Sequence, residues 1–193
     1  MLKIPENRFP LDPVPLENPG QQAYEDLDGK REHVTTLTRE GRLLEAGDFM
    51  PFVPGIEWQR HGLYIVQTVN AFDTETCDNC VDELDGFHRA HPEVPVYSLT
   101  KQNLAEVKKQ SADQTFLQIN PATAIALGTE LVPGEGADPD FWSGALRRSI
   151  FVVDASGKIV HTQQPNDQEQ MPDFDQVYRA ALDALAKQQA AAS

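Results

Sequence analysis

The sequence predicts an α/β fold, a central mixed sheet flanked by helices, and three observations lead there. Leu63-Tyr-Ile-Val-Gln-Thr-Val69 and Ser149-Ile-Phe-Val-Val153 are β-branched-rich runs of strand length. After the first run, Cys77, Cys80, Val81, Leu84, His88 and His91 recur at three- and four-residue spacing. They make one helix face that Pro92 ends. A second strand, Val94 to Leu99, follows, and a helix between two strands implies a parallel crossover. The turn Asp154-Ala-Ser-Gly-Lys158 leads instead into Ile159-Val-His161, an antiparallel hairpin.

The remaining elements fit around this frame. His33–Thr38 and Arg42–Glu45 flank Glu40-Gly41 and read as a short N-terminal hairpin. Asp73 and Thr74 supply capping side chains for the cysteine helix. Leu104–Lys109 reads as a short helix and Thr115–Ile119 as a third strand. Residues 120–146 hold Pro121, Pro133, Gly134, Gly136, Pro139 and Gly144, so they read mostly as loop, with a helical turn at Ala122–Leu127. Phe174, Val177, Ala181, Leu182 and Leu185 mark a closing helix, with Pro172 and Asp173 at its start. This order of strands and helices is the thioredoxin-like plan.

The chain divides into a Pro-rich irregular arm over 1–30, a domain over 31–187 and a fraying tail over 188–193. Pro5, Pro10, Pro13, Pro15 and Pro19 remove backbone donors from the arm. Its apolar residues, among them Leu11, Val14 and Leu16, would strap it across the domain or a partner subunit.

The 193 residues carry 30 acidic and 16 basic side chains, a formal net charge of −14. Nucleic-acid binding rests on Lys and Arg neutralising phosphates, so the acid excess argues against that role and against anionic membranes. No apolar run approaches the roughly 20 residues of a membrane helix. Met1–Gly20 has prolines where a signal peptide needs an apolar block. A cytoplasmic protein with no metal and no cofactor is the expectation. Phosphate-loop, H-E-x-x-H and nucleophile-elbow motifs are absent from the sequence.

Chemistry concentrates at Cys77-Asp-Asn-Cys80, directly after a strand and at a helix start. There a thiol meets unpaired N–H groups and the positive end of the helix dipole, which favour thiolate. Cys77, in the first turn, is the expected nucleophile, and Cys80 has the spacing of a redox dithiol. Two structural readings stand beside this one. Both cysteines could be core residues of the inward stripe, or they could join His88 and His91 around zinc. Positions 77 and 91 of one helix lie about 21 Å apart at 1.5 Å per residue, so zinc fails on geometry. Asp73, Glu75, Asp78, Asp82 and Glu83 crowd the dithiol and disfavour a thiolate, so an activating cation must come from elsewhere. Arg147 and Arg148, just before the Ser149 strand, are the candidates: Arg148 is expected to face the thiol, and a solvated strand-edge position suits the other. Trp58, Phe72, Phe87, Phe141 and Trp142 read as core or interface aromatics.

Val69-Asn-Ala-Phe-Asp-Thr-Glu-Thr-Cys77 resembles the active-site loop of peroxiredoxins, especially the thiol peroxidase subfamily, written P-x-x-x-T-x-x-C. Asp73, Thr74 and Cys77 occupy its positions, and Asn70 stands at its proline. Gly144–Asp154 resembles the segment in which an arginine, here Arg148, precedes an apolar strand, and Pro172-Asp-Phe-Asp175 is similar to the family's last-helix opening. The resemblance implies a thioredoxin-like fold with a peroxiredoxin-type N-terminal hairpin and an insertion. It further implies a homodimeric peroxidase that reduces hydrogen peroxide or small organic hydroperoxides. Cys77 would attack the peroxide, with Thr74 and Arg148 bonding its oxygens. Cys80 would then close a disulfide, which thioredoxin or a similar dithiol reduces.

Two alternatives stay open. A thioredoxin-type thiol–disulfide oxidoreductase also uses C-x-x-C, although Thr76 stands where thioredoxins have Trp, and Arg148-Ser149 where they have a proline before the facing strand. A non-enzymatic binding module on the same fold is the other.

Overall fold

The computed structural model describes residues 13–16, 23–25, 31–58, 62–69, 75–105, 107, 111–137, 139–166 and 170–192. Its centre is a five-stranded mixed sheet of order β6-β5-β4-β8-β9. The strands are β4 (Leu63–Thr68), β5 (Val96–Thr100), β6 (Thr115–Gln118), β8 (Ser149–Asp154) and β9 (Ile159–Gln163). β4, β5 and β6 run parallel, and β8 runs antiparallel to both β4 and β9. Helix α1 (Glu75–Ala90) makes the crossover from β4 to β5, and α4 (Phe174–Ala192) closes the chain. The crossover, the hairpin and the closing helix therefore stand where the apolar patterning places them.

Side-chain alternation along β4 sorts the core into two layers. Leu63 and Ile65 face α1 and α4, packing with Cys80, Leu84, Ile150, Val152 and Val177. Tyr64 and Val66 face the other way, towards Leu99, Leu127, Leu146, Phe151 and Val153. That second layer is covered by α2 (Pro121–Leu127), whose Asn120 side chain accepts from the Thr123 N–H. Gly128 ends this helix in the left-handed region at φ 69°, a conformation that costs glycine least.

A second, smaller sheet departs from the sequence expectation. β3 (Arg31–Thr38) pairs with β1 (Val14–Pro15), β2 (Ala23–Glu25) and β7 (Glu130–Pro133), all antiparallel. The expected hairpin of His33–Thr38 with Arg42–Glu45 does not form. Gly41 donates its N–H to Thr38 Oγ1 at φ 72°, and Arg42 pairs with Asp48 at 2.6 Å, so 42–45 turns off as a loop. Leu37 pairs instead with Glu130, from a stretch that reads as loop. That stretch holds α3 (Pro139–Gly144) as well as α2 and β7. Leu104 and Ala105 form a turn and Val107 is non-helical, so the short helix expected over 104–109 is absent from its described residues. Part of the expected irregular arm pairs as β1 and β2, and Leu16 is buried with its N–H on the Thr36 carbonyl. The Gln/Ala-rich end continues α4 to Ala192. Trp142 is fully buried against Val34, Leu131 and Ala145, and so belongs to the core of this small sheet. No helix among the described residues is long and apolar enough to cross a membrane.

Arg147 joins the two sheets. It is fully buried, not a solvated strand-edge residue. Its guanidinium donates to Thr36 Oγ1 on β3 and to the Gln164 and Pro165 carbonyls and Asn166 Oδ1 beyond β9. Burial lowers its pKa to about 10, which leaves it protonated at neutral pH. Arg147→Ala would strand these acceptors without a donor. We expect a loss of about 3 kcal/mol of unfolding free energy in urea titration, and a loss under about 1 kcal/mol would contradict the bridging role.

Candidate active site

The candidate site forms where β4 ends, α1 begins and β8 starts. Thr68, the last residue of β4, donates its hydroxyl to the Arg147 carbonyl, tying the approach to β8 onto the strand that feeds α1. Alternation then sends the two neighbouring arginines to opposite faces of the sheet. Arg147 goes to the small-sheet side, whereas Arg148 shares the face of Ile150 and Val152 beneath α1.

Arg148 is 3% exposed, and its Nη2 donates to Cys77 Sγ at 3.6 Å. Its Nη1 donates to the Gln170 carbonyl at 3.2 Å, so the segment entering α4 fixes the guanidinium from the far side. Cys77 lies in the first turn of α1 at 1% exposure, among Val69, Val81 and Val107 with Leu104 and Phe116 alongside. A positive charge thus meets a sulfur that sits in the first turn of a helix, in an apolar setting. Thr74, the other expected site residue, lies outside the described residues, as do Asp73, Phe72 and the Phe141 side chain.

Cys80 sits one turn on, at 3% exposure, in the separate apolar cluster with Leu63, Ile65 and Leu84. No disulfide joins it to Cys77. Its Sγ lies 3.9 Å from Met171 Sδ, so the segment that holds Arg148 also covers this thiol. Burial pushes the Cys80 thiol up to about 12, against a smaller opposing pull from Arg148. The two cysteines therefore differ in kind, since one touches a cation and the other is a protonated thiol in hydrocarbon. His88 and His91 stand at the far end of α1, where His88 Nδ1 meets the Val94 carbonyl at 2.8 Å and His91 packs on Phe87.

Sequence reasoning misses one group beneath the site. Gln67 and Ser98 face each other across β4 and β5 on the α1 side, and both are buried. Both donate to Gln114, which in turn donates to Asp85, and these two are also buried. Two polar residues inside otherwise apolar strand runs are the signal that could have disclosed this cluster.

No protein-family model matches the sequence, and no curated protein does. Solved structures do match. A peroxiredoxin-like protein from Aquifex aeolicus superposes with a TM-score of 0.60 at 19% identity, over 84% of this chain and 99% of that one. A thiol peroxidase from Chromobacterium violaceum gives 0.61 at 14% identity, over 76% and 90%. AhpC of Mycobacterium tuberculosis gives 0.52 at 18% identity, over 75% and 99%. The chain has the thioredoxin-like fold of these structures, a mixed sheet flanked by helices, as the order of strands and helices in the sequence implies.

The Cys80 environment makes stability depend on alkaline pH. An unfolded cysteine loses its proton near pH 9, whereas folded Cys80 keeps it to about 12, so its stabilising contribution is complete below pH 9 and is lost between the two values. The stability difference between wild type and Cys80→Ala should shrink by about 1.4 kcal/mol from pH 7 to pH 10 in urea titrations. A pH-independent difference would contradict the buried placement.

Proposed function

We propose that this chain is a thiol peroxidase that reduces hydrogen peroxide or small organic hydroperoxides through Cys77. The observation that carries this reading is the 3.6 Å approach of Arg148 Nη2 to Cys77 Sγ. The Cys77 thiolate attacks one peroxide oxygen, forming an S–O bond as the O–O bond breaks. The sulfur becomes a sulfenic acid, and the departing alkoxide or hydroxide takes a proton to leave as alcohol or water. Charge develops on the departing oxygen, and Arg148 is placed to stabilise it with donors that are already oriented. Thr74, three residues before Cys77, is the second donor in this reading, by its place in the motif.

Cys80 then attacks the sulfenic sulfur, giving an intramolecular disulfide and water. Residues three apart on a helix keep Cβ atoms about 5–6 Å apart, whereas a disulfide needs roughly 3.5–4.5 Å. The first turn of α1 must therefore loosen before this bond closes, which frees Cys77 to approach Cys80. An external dithiol of thioredoxin type regenerates both thiols by exchange. The family resemblance adds a homodimer, for which the exposed Phe49, Phe52 and Trp58 around one cleft offer an apolar surface.

Stopped-flow consumption of hydrogen peroxide by the reduced protein tests the reading. Cys77→Ser should abolish it, and Arg148→Met should slow it by about 100-fold. Cys80→Ser should keep the first oxidation and accumulate a sulfenic acid that dimedone traps. Insulin reduction without peroxide turnover would support the oxidoreductase instead, and inactivity in both assays the binding module.

A further inference from the structure

Gln114 stands in the loop before β6, away from both cysteines in sequence, yet all four of its side-chain hydrogen-bonding positions are used. Its Nε2 donates to the Val81 carbonyl at 2.7 Å and to Asp85 Oδ1 at 2.6 Å, both on α1. Its Oε1 accepts from Gln67 Nε2 on β4 at 3.0 Å and from the Ser98 hydroxyl on β5. Gln67 Nε2 also donates to Ser98 Oγ at 2.8 Å, which closes the ring. An amide offers two donors and two acceptor lone pairs, so this one is fully satisfied while buried. Buried polar networks that are complete fix one geometry, and losing a member strands the rest without partners.

The place of the network matters for the chemistry. It grips α1 at Val81, the residue directly after Cys80, and again one turn on at Asp85. The helix is thus bolted to the sheet immediately past the turn that carries both sulfurs. Apolar packing resists separation of helix and sheet but permits sliding, whereas directional bonds from one amide to helix and strands set rotation and height.

We propose that Gln114 is a positioning residue: it holds α1 at Val81 and Asp85 so that Cys77 stays under Arg148, and it confines the loosening that joins Cys77 to Cys80 to the turn before Val81. This inference rests on the peroxidase reading and adds a division of labour to it. The bolted helix serves the first oxidation, which needs the sulfur beside the guanidinium. The unbolted first turn serves disulfide closure, which needs that same sulfur to leave. Releasing the bolt therefore shifts the two steps in opposite directions.

The test uses the full chain with Gln114→Met, which keeps the volume and removes every hydrogen bond of the amide. Stopped-flow mixing with hydrogen peroxide should show formation of the sulfenic acid slowed by about fivefold and subsequent disulfide closure quickened by a similar factor. Amide hydrogen exchange should speed at residues 78–81 while residues 86–90 keep their protection. Ser98→Ala, which removes one donor to Gln114 and leaves α1 untouched, should move both steps the same ways by less. It also carries the test if Gln114→Met does not fold. Two rates that fall together, or neither changing, would overturn the positioning role, since a merely less stable fold moves both alike. If the wild-type protein does not react with peroxide, the peroxidase reading itself fails, and the exchange contrast between 78–81 and 86–90 alone then decides whether the bolt exists.

Discussion

The contact between the Arg148 guanidinium and the Cys77 sulfur organises the end of the molecule where β4, α1 and β8 meet. Neither partner could hold that position on its own element alone. Cys77 rides the first turn of a helix, which is the part with the fewest internal hydrogen bonds. Arg148 rides a long side chain whose ordering costs rotamer freedom. The fold meets both costs with neighbours: Thr68 ties the backbone beside Arg148 to β4, the Gln170 carbonyl fixes the guanidinium, and the buried amide of Gln114 fixes the helix. Asp78, Asp82 and Glu83 follow Cys77 along the same stretch of chain, and Arg148 sets a buried cation against its sulfur.

The two adjacent arginines divide the work of holding the connection between β9 and α4. Arg147 takes its near end, through the Gln164 and Pro165 carbonyls, and Arg148 takes its far end, through Gln170. That connection also lays Met171 against Cys80. The segment lying against Cys80 is thus fastened by the two arginines, one of which reaches the small sheet and the other Cys77, and one strand's alternation sends each to its own side.

Much of this arrangement is legible in the amino-acid sequence. The strands β4 and β8 and the helix α1 announce themselves through apolar periodicity, because burial on two faces or on one stripe leaves a local pattern. The side chosen by Arg148 follows from the same alternation counted back from Ile150. The small sheet was not readable, for β3 pairs with β7, almost a hundred residues later, and β7 sits in a proline- and glycine-rich stretch ending at Pro133. Glu40-Gly41 gave a turn signal, but the following segment found the Arg42–Asp48 ion pair in place of a strand partner. Gln114 was invisible for another reason: a single polar residue beside a strand has no period, and its meaning lies in partners from β4, β5 and α1. Arg147 is not legible as a buried residue because a cation next to a strand usually faces water, and here carbonyls, a side-chain amide oxygen and a hydroxyl from distant segments take the place of solvent.

The most direct measurement is a crystal structure of the reduced Cys80→Ser protein after a brief exposure to hydrogen peroxide. The account predicts one added oxygen on Cys77 Sγ, lying about 3 Å from the Arg148 guanidinium, with α1 in place. Oxidation found elsewhere with Cys77 unmodified, or a Cys77 oxygen turned away from a displaced Arg148, would contradict it.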